Sequence, residues 1–264
     1  MHTIVMKFGG ASVATPEHFG KIADIIVEKS KQFKKVVVVV SAMGGTTNHL
    51  IELANKVNPD PPRREYDMLV TVGERISIAL LAMAIAKKGF NAVSFTGSQS
   101  GIITCDRHTD ARIVNIKPHR ITRDLELGKI VIVAGFQGVS EKGEITTLGR
   151  GGSDTTAVAL GCALNASHVE FYKDVPGVFN DDPKKNPDAF IYETLSYASA
   201  LEIVLKGAKI LHPRSVKLAQ KNGLPLHVCS FLDNGQKVGT VIHELQVLRS
   251  EQPLYEDQLQ MDLV

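Results

Sequence analysis

Short β-branched runs that alternate with segments of helical periodicity constrain this chain more than any other feature. Thr3 to Phe8 and Lys35 to Val40 are almost continuously apolar, each is followed by Gly or Ser, and Pro16 to Lys31 between them has helical spacing. Runs of that kind are strands buried on both faces, and a helix between two of them makes the pair parallel. The alternation continues with a helix over Asp67 to Lys88, a strand over Asn91 to Phe95, a helix over His119 to Leu127 and a strand over Lys129 to Ala134. Phe136 to Leu148, turning at Glu141-Lys142-Gly143, reads as a β-hairpin on the sheet's rim. Beyond it, Asp154 to Leu164, Tyr197 to Lys206 and Pro213 to Asn222 read as helices and His168 to Tyr172 and Leu226 to Ser230 as strands, with Gly239 to Ile242 as an edge strand. The fold class that follows is α/β, a three-layer αβα sandwich around an open, mostly parallel sheet. Ligands of such sheets bind beyond the carboxyl ends of the strands. Asn58 to Arg64, with three prolines, is the expected exposed loop, and Pro253 to Val264 is an acidic tail.

Composition narrows the function. The 30 basic and 28 acidic residues nearly cancel, so no nucleic-acid-binding surface is expected. The densest basic run, Lys29, Lys31, Lys34 and Lys35, falls where a helix ends and suits the dipole there. Cys105, Cys162 and Cys229 match neither a disulfide framework nor a zinc site, which points to a reducing cytoplasm. Strand-like residues begin at Thr3 with no charged n-region and apolar h-region, so no signal peptide is expected. The apolar stretch Ile76 to Ala86 falls well short of the roughly 20 residues of a membrane span and reads as a buried helix.

Three glycine-rich segments carry the chemistry. Lys7-Phe8-Gly9-Gly10-Ala11-Ser12 closes the first strand, where glycines let backbone N–H groups approach an anion and Lys7 adds a mobile positive charge. It lacks the spacing of a Walker A loop, and taken alone it is also explained by turn geometry. Ser41-Ala42-Met43-Gly44-Gly45-Thr46-Thr47-Asn48 follows the second strand and opens a helix, so neighbouring parallel strands would aim both turns at one place. Gly149-Arg150-Gly151-Gly152-Ser153-Asp154 sets an Arg fork among glycines at a helix N-terminus, a pattern that suits carboxylate or phosphate. Asp154 would orient a lysine ammonium, a substrate amine or a metal-bound water, or simply cap the helix.

Taken with Val72-Gly73-Glu74-Arg75 and Gly207-Ala208-Lys209-Ile210-Leu211-His212-Pro213, these segments resemble the amino acid kinase family, and within it the catalytic domain of the aspartate kinase branch, from about Lys7 to Ile242. The resemblance implies ATP-dependent phosphorylation of the β-carboxylate of L-aspartate, the first step toward lysine, threonine and methionine. It implies Lys7, Asp154 and Lys209 as the catalytic set, the lysines neutralising the phosphoryl group and Asp154 organising them. Arg150 would grip the α-carboxylate and Glu74 the ammonium, with Ser41, Thr47, Gly151, Gly152 and Ser153 completing the acceptor site. Gly9, Gly10, Ser12, Gly44 and Gly45 would cradle phosphate oxygens, while Lys173, Asp174, Phe179, Asp182 and Lys184 would border ATP. Lys173, Phe179, Lys184 and Ala11 depart from the residues common in the family, which implies altered nucleotide affinity.

Magnesium would be held mainly by the nucleotide phosphates, with no protein metal site. His108 and His212 are expected to be structural, because an ionised carboxylate acceptor needs no general base. Other acceptors on the same fold, such as acetylglutamate, glutamate, carbamate or a nucleoside monophosphate, are the alternatives, as is a non-catalytic regulatory subunit. The expected layout is a catalytic domain over 1–242, its acceptor lobe to about 170 and its nucleotide lobe to 242, then a tail over 243–264. The regulatory ACT domains of the branch have no counterpart in the sequence, so no feedback inhibition in cis by lysine or threonine is expected. The remaining expectations are a cytoplasmic homodimer that binds small molecules and neither nucleic acid nor membrane.

Overall fold

The computed structural model describes residues 2–183, 185–208, 210–233, 238–244 and 252–258. Its first two strands, β1 (Thr3–Phe8) and β2 (Lys35–Val40), pair in parallel in the register Thr3 with Lys35 and Phe8 with Val40, joined by helix α1 (Pro16–Gln32). Both are buried over nearly their whole length, which is why they lack the alternation of a half-exposed strand. Helices α2 (Thr46–Val57), α3 (Arg63–Val70) and α4 (Val72–Lys87) follow, then strands β3 (Ala92–Phe95), β4 (Ile102–Thr104) and β5 (Ile113–Ile116). Helix α5 (His119–Glu126), strands β6 (Ile130–Ala134), β7 (Gln137–Ser140) and β8 (Ile145–Thr147) and helix α6 (Gly152–Ala163) come next. The chain continues through β9 (Val169–Lys173), β10 (Thr194–Leu195), α7 (Tyr197–Leu205), α8 (Pro213–Asn222), β11 (Leu226–Ser230) and β12 (Val238–Ile242).

Eight strands form one sheet in the order β10-β12-β11-β9-β1-β2-β6-β3, parallel except where β12 runs against β11. Alternate residues feed two cores. Ile4, Met6, Val38 and Ile132 pack against α1 and α4, while Val5, Val37, Val133 and Phe171 pack against α5, α6 and α8. This is the expected three-layer sandwich.

Four expectations need correction. The hairpin β7–β8 does not sit on the rim of the large sheet but builds a second sheet, β5-β4-β7-β8, with two strands too short to show a period. The segment Gly239 to Ile242 is not the edge, because β10 pairs outside it. The helix expected over Asp67 to Lys88 is two helices that meet at Thr71, whose carbonyl accepts from Gln137 Nε2 at 3.1 Å. Counted through Thr71, Arg63–Lys87 is 25 residues, long and apolar enough to cross a membrane, contrary to the shorter stretch expected. Packing of Ile78, Leu81 and Ile85 into the core accounts for that apolarity.

At the amino ends of the parallel strands, away from the glycine-rich loops, Glu170 is buried as a hub. Its carboxylate meets Lys29 Nζ at 2.6 Å, the Tyr172 hydroxyl at 2.6 Å and His168 Nε2 at 3.3 Å. Burial alone would raise its pKa, but His168, Lys29 and Tyr172 outweigh that cost and hold it at about 2. The stabilisation is full above the unfolded value of about 4.3 and is lost as pH falls toward 2. Glu170→Gln is expected to remove about 3 kcal/mol of unfolding free energy at pH 7 and to flatten the stability profile between about pH 5 and 2. Urea melts across that range check it, and an unchanged profile would show that the hub contributes nothing.

Candidate active site

The loops after β1 and β2 lie side by side because the strands do. Ser41 N–H donates to the Phe8 carbonyl at 3.1 Å, and a side chain on Gly10 would come within 3.3 Å of the Ala42 carbonyl. Gly45, with φ +78°, caps α2 in the left-handed conformation that glycine adopts without strain. Gly151, with φ +69°, caps α6, and a Cβ there would lie 2.0 Å from the ring of His212. No other residue fits that contact.

These loops, the start of α4 and the start of α6 enclose a cavity of about 740 Å³. Of the residues singled out in the sequence, Lys7, Gly10, Ser41, Gly44, Gly45, Thr47, Glu74 and Arg150 to Asp154 all line it. Gly9 lies just behind, 3.4 Å from Lys7 Nζ as measured from where its Cβ would be. Ser12 is buried with its hydroxyl donating to the Gly9 carbonyl at 2.7 Å, so it braces the loop.

Asp154 does not cap the helix. It sits in the first turn of α6 with its carboxylate 2.6 Å from Lys7 Nζ and 3.8 Å from Lys173 Nζ. Burial raises its pKa, yet the two ammonium groups prevail and hold it below the usual carboxylate range. Burial pushes the Lys173 ammonium down against the opposing pull of Asp154. Two lysines on one carboxylate leave net positive charge at this spot, a fit for an anionic group.

Glu74 behaves differently. It is 3 % exposed, accepts from Ala42 N–H at 3.1 Å through Oε1, and has no partner at Oε2. Burial lifts its pKa to about 7. A cationic group entering the cavity would find the one unmet acceptor of this buried carboxylate.

A second cavity, of about 880 Å³, lies beyond Lys173 and includes Asp174, Phe179 and Asp182. Lys184 and Lys209 lie outside the described residues, although Ala208 and Ile210 line this cavity. His212 caps α8, its Nδ1 accepting from Arg214 N–H at 3.4 Å, and His108 Nδ1 lies 2.8 Å from Asp67. No disulfide joins Cys105, Cys162 and Cys229.

Sequence reasoning missed Tyr66, Thr109, Phe136 and Thr147 in the first cavity and Tyr192, Ser199, Glu202 and Lys206 in the second. It also missed Asp67, fully buried beneath the first. Asp67 accepts from Thr109 N–H at 3.1 Å, Thr147 N–H at 3.2 Å and the Thr147 hydroxyl at 2.6 Å. The bond to its N–H holds Thr109 at φ 69°, an uncommon value for threonine. The signal available was an aspartate where the charged start of α3 gives way to Met68-Leu69-Val70.

The chain is similar to known proteins over most of its length. An aspartokinase of Bacillus sp. (strain MGA3) is 50% identical over 244 residues, 92% of this chain and 59% of that protein. One of Corynebacterium glutamicum is 53% identical over 243 residues, 92% and 57% of the two. The chain thus spans less than two thirds of the curated relatives it matches. Among solved structures, aspartate kinase from Synechocystis superposes with a TM-score of 0.82 at 41% identity, covering 94% of this chain and 40% of that one. E. coli aspartokinase III in complex with aspartate and ADP gives 0.82 at 28% identity, covering 92% and 64%. The family model for the amino acid kinases matches residues 2–230, a span that takes in the residues lining both cavities, and the chain belongs to the amino acid kinase family.

Proposed function

We propose that this chain transfers the γ-phosphoryl group of ATP to the β-carboxylate of L-aspartate, giving 4-phospho-L-aspartate in the cytoplasm as the first step toward lysine, threonine and methionine. The observation that carries this reading is an ion pair that links two cavities: Asp154 lines the first, Lys173 the second, and 3.8 Å separates their charges. A kinase needs two substrates that meet end to end over positive charge. The first cavity offers the unmet carboxylate oxygen of Glu74 to an ammonium and Arg150 to a carboxylate, the two receptors an amino acid requires. The solved E. coli relative that holds aspartate and ADP supports the same pairing.

The β-carboxylate of aspartate is ionised at neutral pH and attacks phosphorus directly, so no residue has to take a proton. Lys7 and the backbone of Gly9, Gly10, Gly44 and Gly45 stabilise the charge that spreads over the phosphoryl oxygens, and Asp154 holds Lys7 and Lys173 in place. The family resemblance implies that Lys209 adds its charge to theirs. Magnesium, the partner of ATP in such transfers, supplies charge neutralisation. Asp154 is already engaged by two lysines, which fits a metal held mainly by phosphate oxygens. Asp174, Phe179, Asp182 and Lys184 border the nucleotide in this reading. The outer stripe of α4, where Val72, Ile76 and Met83 are exposed, supports a homodimer through that helix.

A coupled assay with ATP, magnesium and L-aspartate tests the activity, with acetylglutamate, glutamate and UMP as competing acceptors; phosphorylation of one of those in place of aspartate would overturn the substrate. Lys7→Ala is expected to lower kcat about 100-fold or more, and near-normal turnover would remove Lys7 from the transfer step. Arg150→Ala is expected to raise the aspartate KM and spare the ATP KM, as loss of acceptor binding requires. With the Glu74 pKa at about 7, the carboxyl must lose a proton before it pairs with an ammonium, so aspartate binding weakens as pH falls below 7 and levels off above. The aspartate KM should rise toward about tenfold per pH unit on the acid side, and Glu74→Gln should abolish that slope. A slope that survives the substitution would assign it to another group.

A further inference from the structure

We infer that Glu256 is a positioning residue for the acceptor cavity, acting through Arg214 on the backbone that presents Arg150. The described part of the acidic tail, residues 253–258, packs onto the fold. Leu254 exchanges two hydrogen bonds with Asn222, of 2.9 and 3.0 Å, Tyr255 enters the core, and Glu256 is 2 % exposed. Glu256 Oε1 lies 2.7 Å from both Nε and Nη2 of Arg214, while its Oε2 accepts from Ile113 N–H at 2.9 Å. Arg214 is itself buried near the start of α8.

The other side of that guanidinium reaches the cavity wall. Arg214 Nη1 donates to the Leu148 carbonyl and Nη2 to the Ala111 carbonyl at 3.2 Å, and Nη1 lies 3.7 Å from Asp110 Oδ1. Leu148 immediately precedes Gly149 and Arg150. Gly149, at φ +70°, packs against Asp110 and the Thr109 carbonyl, so the two strips of backbone form one wall. One buried cation therefore pins both strips, and the Glu256 carboxylate is its buried counterpart. Asp110 is about half exposed and farther away. A buried guanidinium stripped of its carboxylate turns toward whatever charge or water remains. Here it would turn toward Asp110, releasing the Leu148 carbonyl and the turn after it.

Glu256 touches no substrate in this account. Its effect falls on acceptor recognition, because the wall it holds carries Arg150, whereas the nucleotide cavity has no residue on either strip. This rests on the reading of the first cavity as the acceptor site.

The test uses the full chain with Glu256→Ala, Glu256→Gln and, as a core control on the opposite face of the sheet, Ile26→Ala. Hydrogen exchange at residues 148–152 is expected to quicken about tenfold more in Glu256→Ala than in the control at equal distance from the melting temperature, with Glu256→Gln between them. Steady-state kinetics should show the acceptor KM raised about tenfold with kcat and the ATP KM little changed. Arg214→Met combined with Glu256→Leu removes both buried charges, so Tm should largely recover while the acceptor KM stays high. Exchange equal to the control, or recovery of the acceptor KM together with Tm, would overturn the inference. If the wild-type chain leaves aspartate unphosphorylated, the substrate reading fails and the exchange result still decides the role of Glu256.

Discussion

The carboxylate of Asp154, held between the ammonium groups of Lys7 and Lys173, is the interaction on which the rest of the site depends. Three charged groups buried this close are stable only as a set, because each lysine without the carboxylate would repel the other. The set comes from three elements: the end of β1, the end of β9 and the first turn of α6. Since β1 and β9 are hydrogen-bonded neighbours in the sheet, Lys7 and Lys173 arrive from adjacent strands. Helix α6, which opens within the Gly149 to Asp154 segment, then brings the carboxylate to them.

Around this centre the backbone does as much as the side chains. Gly10 approaches Ala42, Gly73 approaches the Ala42 Cβ, and Gly151 lies against His212 at a distance that no side chain permits. Close backbone contact brings Glu74 to Ala42 N–H with one oxygen left over. On the far wall, Asp67 and Arg214 hold the strips around Thr109 and Leu148 from below. The charged groups that face the cavity are thus few, and those that hold its walls are buried beneath it.

Much of the large sheet was legible because its strands are long enough to show a pattern. β1, β2 and β11 have the bounds expected of them, and the glycine-rich loops fall at the carboxyl ends where the fold class puts ligands. Of the small sheet only the hairpin β7–β8 was legible, since three- and four-residue strands such as Ile102–Thr104 and Ile113–Ile116 are stabilised by tertiary pairing more than by local preference. The break at Thr71 was hidden for a related reason: its backbone stays close to helical, and only the bond from Gln137 marks the junction. Asp67 and Glu256 gave no motif because each is a single acid whose partners lie 41 or more residues away.

Sequence alone determined the chemical types present: lysines beside glycine-rich turns, an arginine and an aspartate in one turn, a glutamate at the start of an apolar helix. It also determined a parallel sheet, because buried β-branched runs joined by helices have little alternative. Only the tertiary structure decided that Asp154 serves two lysines instead of capping α6, that Glu74 keeps an unmet oxygen, and that the acidic tail reaches a buried arginine under the cavity. Those outcomes turn on which groups lose water together. Burial sets the energy of a charge through its neighbours in space, and local sequence does not encode them.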